Sequence, residues 1–258
     1  MKRREVVEQL GPLGVAEGDV LLVHTSFRAV GPVEGGPSGL IAALQDAVGD
    51  SGTLVMPSWT GDDEAIFDPK RTAASADLGV VADTFWRLPG AVRSNHPFAF
   101  AALGPQASFI VHDPLPLPPH IPESPVGRVR DLDGKVLLLG VDHEVDTTVH
   151  LAELIAGVPY RVPKRITVVE NGRPVQLAYA ENDHCTKRFS LVGEWLEGRR
   201  LQSSGPVGHG RALLARSRDV VAVALERLSR DPLTFLHPRG ACEECDEAHA
   251  SVRRSGPR

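Results

Sequence analysis

Cysteine is scarce in this chain: three among 258 residues, an odd number and too few for a disulfide framework. Aromatic residues make up only 5%. No run approaches the ~18 apolar residues of a membrane span. The first residues, Met1-Lys2-Arg3-Arg4-Glu5, pass directly into a charged helical pattern without the apolar stretch of a signal peptide. These absences predict a cytoplasmic protein with no membrane partner. Excess charge is small as well. A net charge of −5 argues against nucleic acid as the partner and is compatible with a cationic ligand. Gly-x-Ser-x-Gly is missing, so a hydrolase nucleophile elbow has no support.

What is abundant is glycine (25) and proline (21), the residues of turns. Apolar runs at 20–24, 53–57 and 136–141 read as buried strands. Amphipathic or apolar patterns predict helices over 3–15, 40–48, 78–87 and 148–156, a strand over 98–103 and one or two helices within 207–228. Asn171-Gly172 sits between two alternating runs, a strong hairpin signal. Residues 60–76 and everything after Leu236 read as irregular. The segment 113–125 holds six prolines and is either a linker or the rigid wall of a pocket. Strands alternating with helices, plus a hairpin, give an α/β class: a mixed parallel/antiparallel sheet flanked by helices, in one domain over 1–258.

The densest chemistry lies in 142–153. His150 and Glu153, three residues apart, share one face of the expected helix. A histidine beside carboxylates at a strand end suits a general base acting on a cationic substrate; the bland alternative is a polar loop before a capped helix. The glycine-rich loop at 24–36 matches neither dinucleotide nor P-loop fingerprints and serves as a generic anion site or a plain βα turn. Arg93-Ser94-Asn95-His96-Pro97 is an anion-binding turn or a solvated loop. Cys242-Glu243-Glu244-Cys245 is half of a zinc site, with Cys185 as the distant partner and His237 or His249 completing the set. A structural zinc would pin the tail, 236–249, to the body; the alternative is ordinary reduced thiols. Asn182-Asp183-His184 is a further piece of a polar site, or a turn.

Six motifs resemble the aminoglycoside 3-N-acetyltransferases of the antibiotic N-acetyltransferase family: 21–31 (LLVHTSFRAVG), 52–59 (GTLVMPSW), 83–89 (DTFWRLP), 93–99 (RSNHPFA), 124–126 (SPV) and 147–153 (TTVHLAE). The resemblance runs from about residue 5 to about 245. The C-terminal motifs, 181–185, 205–209 and the cysteine pair, are most similar to the class IV branch, associated with apramycin and gentamicin. The resemblance implies a fold distinct from the GNAT acetyltransferases, and Arg28 to Val33 indeed lacks the last glycine of the GNAT loop. It implies acetyl transfer from acetyl-CoA to the 3-amino group of a 2-deoxystreptamine aminoglycoside, with antibiotic resistance as the result. His150 would be the base, oriented by Glu153 or Asp183, with no covalent intermediate. Thr25, Ser26, Arg28, Val30, Arg93 and Ser94 would meet coenzyme A. Asp62, Asp63, Asp142, Glu144 and Asp146 would receive the drug's ammonium groups. Cys185, Cys242, Cys245 and His237 would hold zinc, in a monomer or homodimer.

Two other readings compete. One is a zinc amidohydrolase with His143, His150 and Glu153 as ligands. The other is an acidic protein that sequesters aminoglycosides without turning them over.

Overall fold

A computed structural model describes residues 1–60, 62, 65–112 and 117–254, with the side chains of 253 and 254 excepted. The described strands are, in chain order, β1 (Val20–Thr25), β2 (Thr53–Pro57), β3 (Ile66–Phe67), β4 (Val92–Arg93), β5 (Phe100–Leu103), β6 (Lys135–Leu139), β7 (Val162–Glu170), β8 (Arg173–Glu181), β9 (Gln202–Val207) and β10 (Gly210–Arg216). The main sheet runs β4-β5-β2-β1-β6-β10-β9; β3, β7 and β8 form a second, smaller sheet.

The centre of the main sheet is parallel. β1 pairs with β2 in the register Leu21↔Leu54 and with β6 in the register Leu22↔Val136. Both faces of these strands are covered, which is why they read as unbroken apolar runs rather than as alternation. On one face, Leu21, Val23, Met56 and Leu139 pack against helices Arg3–Leu10, Gly36–Val48 and Gly79–Trp86. On the other, Leu22, Val55 and Leu138 pack against helices Thr148–Ala156, Ser190–Gly198, Ser217–Leu228 and the tail. Each buried leucine contributes roughly 2 kcal/mol of transfer free energy. Antiparallel partners, β5 on one side and β10 on the other, complete the mixed sheet.

Several expectations need correction. Residues 207–216 are not helical. They belong to the β9–β10 hairpin, and only Ser217–Leu228 is a helix. Arg211–Arg216 reads Arg-Ala-Leu-Leu-Ala-Arg, good helix formers, but pairing along β6 (Leu214↔Leu137) overrides that weak local preference. The tail is not wholly irregular, because Glu243–Arg254 is a helix. The hairpin at Asn171-Gly172 forms as expected (β7–β8) but builds the separate small sheet, and β3 joins it from the segment expected to be irregular.

Chain order around β1 opens the site. From β1 the chain crosses to β2 on one side and later returns to β6 on the other. The loops after β1 and β6 therefore diverge, leaving a crevice at the strands' carboxyl ends. Gly140, just after β6, lets the two loops start in close contact before they part. Its φ is +72°, and a Cβ there would lie 2.8 Å from the Ala29 Cβ and 3.1 Å from the Ser26 carbonyl. Gly140→Ala is expected to destabilise the fold by about 1–3 kcal/mol, read as a lower urea midpoint with unchanged m-value.

Candidate active site

At the end of β1, Ser26 N donates to Leu139 O at the end of β6 (2.9 Å). The Ser26 hydroxyl then caps helix Phe27–Val30, accepting from Ala29 N at 3.3 Å. A cavity of about 480 Å³ opens beside this turn, lined among others by His24, Thr25, Ser26, Arg28, Met56 and Trp59. Its neighbour, of about 270 Å³, is lined among others by His120, Glu144, Thr147, His150, Asp183 and Phe189. Trp59 and Val145 line both, so the two cavities meet. The His24 ring and the Thr147 hydroxyl, one from each cavity's lining, are 3.3 Å apart.

His150 stands on helix Thr148–Ala156. The helix start is fixed by Asp146, whose buried carboxylate accepts from Thr148 N (2.9 Å) and His143 Nδ1 (2.9 Å). One turn in, His150 Nδ1 donates to Glu153 Oε2 at 2.8 Å. Because Nδ1 carries that proton, the neutral ring keeps its lone pair on Nε2. Glu153 is fully buried, and its other oxygen accepts from His184 Nε2 (2.8 Å) and from the Tyr160 hydroxyl. His184 Nδ1 in turn donates to the Cys185 carbonyl at 2.9 Å. Both His184 nitrogens thus donate, which makes the ring a cation facing the carboxylate.

The charges follow. Burial alone would raise the Glu153 pKa, but the His184 charge and the hydrogen bonds from His150 and His184 outweigh it and hold the carboxyl at about 2. His184 is opposed by burial yet raised by Glu153. Burial raises the Tyr160 hydroxyl, aided by the Glu153 charge, so it remains a donor. His120 stacks on His150 with ring centroids 5.0 Å apart, and burial pushes its pKa well below the usual value. Phe189 meets the His150 ring edge-on at 4.8 Å. The base therefore sits between a neutral ring and an apolar one, anchored by an ionised carboxylate whose charge His184 balances.

The sequence-predicted residues sort by geometry. Glu153, not Asp183, touches His150; Asp183 pairs with Lys164 at 2.5 Å and faces the second cavity. Thr25, Ser26 and Arg28 line the first cavity, whereas Val30 is core, 1% exposed. Arg93 is a correction. Its guanidinium is spent on the Ser58 carbonyl and hydroxyl and the Thr72 carbonyl, and lies over the Phe67 and Trp86 rings. Burial draws its pKa down to about 10. Ser94 is also structural, its hydroxyl accepting from Phe100 N at 3.0 Å. Among the acidic residues, Glu144 lines the second cavity. Asp146 lines it too, although it is buried and its oxygens accept from His143 Nδ1 and Thr148 N. Asp142 caps the 143–145 turn through Glu144 N, and Asp62 accepts from Ala65 N and is not among the residues lining either cavity. Asp63 lies outside the described residues. His143 is tied to Asp146 and Gln202 and does not converge on His150, so the expected amidohydrolase set is not formed; His150 and Glu153 gather instead with His184, their ligand atoms within 4.8 Å of one another.

The cysteines do converge. The Cys185 and Cys242 thiols and a His237 ring nitrogen lie within 4.8 Å of one another, and Cys245 Sγ is 3.4 Å from His237 Nδ1. His249 instead donates through Nε2 to the His237 carbonyl at 2.9 Å, so it supports the cluster rather than joining it. The sequence offered no sign of Tyr160 or of the His120 stack. His120 lies inside the proline-rich run and is the residue of its described part that lines the second cavity.

A sequence profile for aminoglycoside 3-N-acetyltransferase matches residues 22–229. The chain belongs to this family. Aminoglycoside N(3)-acetyltransferase IV of Salmonella sp is 60% identical over 237 residues, spanning 92% of this chain and 91% of the relative. The crystal structure of apo aminoglycoside acetyltransferase AAC(3)-IVa superposes with a TM-score of 0.94 at 60% identity, covering 97% of each chain. A coenzyme A complex of a more distant member, AAC-IIIb, superposes with a TM-score of 0.82 at 26% identity, covering 89% of this chain and 97% of that one. The mixed sheet with its flanking helices is accordingly the antibiotic N-acetyltransferase fold, and the protein is an acetyltransferase of the class IV kind. No described helix is long and apolar enough to cross a membrane.

Proposed function

We propose that this enzyme moves the acetyl group of acetyl-CoA to the 3-amino group of 2-deoxystreptamine aminoglycosides and so confers resistance to them. The observation that carries the reading is a Glu153-locked His150 in one of two cavities that meet at Trp59 and Val145. The first cavity takes the pantetheine arm, with Thr25, Ser26 and Arg28 along it. The second takes the aminoglycoside ring, with Glu144 and Asp183 facing its ammonium groups. Relatives support the acceptor class: the class IV enzyme has been crystallised as a histidine-to-alanine variant with a gentamicin and with apramycin.

In this mechanism the 3-amino nitrogen adds to the thioester carbon and its proton passes to His150 Nε2. Glu153 holds the ring and stabilises the imidazolium that forms. The tetrahedral adduct collapses, the C–S bond breaks, and the departing thiolate takes up the proton that His150 held. The products are the amide and free coenzyme A, with no acyl-enzyme. Release of free thiol from acetyl-CoA, followed with apramycin, with gentamicin and with neither, tests the reading. Release that needs the drug supports it. Folded enzyme that binds acetyl-CoA but releases no thiol with either drug rejects this acceptor class, and stoichiometric protection without thiol release would favour sequestration.

The thiol cluster fits a structural zinc. Tetrahedral Zn–S and Zn–N bonds of about 2.3 and 2.0 Å place ligand atoms about 4 Å apart or less; Cys185, His237 and Cys242 are gathered within 4.8 Å, so closing on the ion takes a small side-chain adjustment, with Cys245 3.4 Å from His237 as the fourth donor. These four would hold the ion and tie the tail helix to the turn after β8. Chelation is expected to lower the thermal midpoint by roughly 5–10 °C, equivalent to about 2–3 kcal/mol of linked binding. An unchanged midpoint after complete chelation would count against the site.

A further inference from the structure

The thiol cluster and the catalytic base are joined through one residue. Cys185 turns its thiol to the cluster, while its carbonyl accepts from His184 Nδ1 at 2.9 Å. From there the bonds are continuous: His184 Nε2 to Glu153 Oε1 at 2.8 Å, then Glu153 Oε2 to His150 Nδ1 at 2.8 Å. Three hydrogen bonds therefore separate the cluster from the base.

Two further features tie the tail to the same carboxylate. The Ser251 hydroxyl of the tail helix accepts from Arg161 N at 3.0 Å, next to Tyr160, the other donor to Glu153 Oε1. The turn that follows Cys185, Thr186–Phe189, is tied to the segment before the tail by Arg188 Nε donating to the Thr234 carbonyl at 3.0 Å. It carries Phe189, whose ring lies edge-on to both His150 (4.8 Å) and His184 (5.5 Å). Thus the segment 184–189 supplies a cluster ligand, a partner of Glu153 and one wall of the base.

We propose that the metal-bound tail cluster is a positioning element for catalysis, with Cys185 and His184 as positioning residues that set the His150 ring through Glu153. This rests on the zinc reading above and goes beyond it: the ion would then govern turnover as well as stability. Hydrogen-bonded partners behind metal ligands commonly control metal affinity or activity by about 10–100-fold, and a misplacement of about 1 Å at a reacting centre can cost about 10²-fold. None of the relay residues lines the first cavity, so KM for acetyl-CoA is expected to change little.

The test uses the full chain in three forms: as purified, chelator-treated and re-zincated, and as Cys242→Ser, which removes a cluster thiol outside the relay. Zinc content, kcat, KM for acetyl-CoA and the low-field proton resonances of the histidine N–H groups are read below the melting temperature of each form. The expected result is zinc loss with a fall in kcat of about tenfold, KM for acetyl-CoA within about twofold, and loss or broadening of the low-field resonances. Re-zincation of the wild type restores all three. Zinc loss that lowers the melting temperature but leaves kcat and the resonances intact overturns the coupling while sparing the zinc site. A chain that carries no zinc and takes up none overturns both.

Discussion

His150→Ala is expected to lower kcat for aminoglycoside acetylation by about 10²–10⁴-fold, the usual contribution of a positioned general base. KM for acetyl-CoA should stay near that of the wild type, because His150 lines only the second cavity. The fold should also survive. The side chain is 17% exposed, and its removal takes one donor from a carboxylate that keeps two others, His184 and Tyr160. The effect should shrink at high pH, where more acceptor amine is already unprotonated. Near-wild-type kcat in a folded variant at neutral pH would remove His150 from its role.

The second large effect is expected at Glu153. Glu153→Gln keeps the shape but removes the charge in direct contact with the buried His184 cation. Stripping one partner from a buried pair typically costs about 3–5 kcal/mol, so the urea midpoint should drop steeply. Activity should fall as well, because an amide can present an N–H to His150 Nδ1 and release the tautomer that frees Nε2. The pH dependence gives a sharper signature. In the wild type the His184 pKa is raised by Glu153 despite burial, so its contribution is full below the unfolded value near 6.5 and is lost as pH rises through the raised value. The lowered Glu153 pKa works in the opposite sense: its contribution is present above the ordinary value of 4.5 and is lost as pH falls toward about 2. Without the carboxylate, burial, the largest single influence on His184, is opposed only by the Cys185 carbonyl and the Asp183 charge, and His184 is expected to fall below its ordinary value. The variant should therefore lose stability as pH falls from about 7.5 to 5.5, a window in which this pair supports the wild type. Urea titrations of both proteins at those two pH values decide it. Parallel stability curves would show that the pair is not charged as described.

The parts of the fold that could be read from the sequence share a cause. Helix Thr148–Ala156, β2 and the hairpin at Asn171-Gly172 are marked by local signals: a 3.6-residue pattern, a run of apolar residues between glycines and prolines, a turn dipeptide. The i,i+3 spacing likewise gave His150 and Glu153. What escaped depends on distant neighbours. β10 is a strand because β6 offers it an edge, and Val30 is core because the helix it ends packs inward. Arg93 carries a charge that suits a ligand, yet it donates to the Ser58 and Thr72 carbonyls, partners 35 and 21 residues away in the chain. Composition cannot distinguish a charge held for a substrate from one already spent. The cysteines were the exception, since Cys-x-x-Cys with one distant thiol left few partners to choose among.

The shared wall of Trp59 and Val145 has a kinetic meaning. With acetyl-CoA in the first cavity and the aminoglycoside in the second, as proposed, the two substrates meet at this wall. A bulkier side chain at Val145 would then be felt from both sides, raising KM for either substrate.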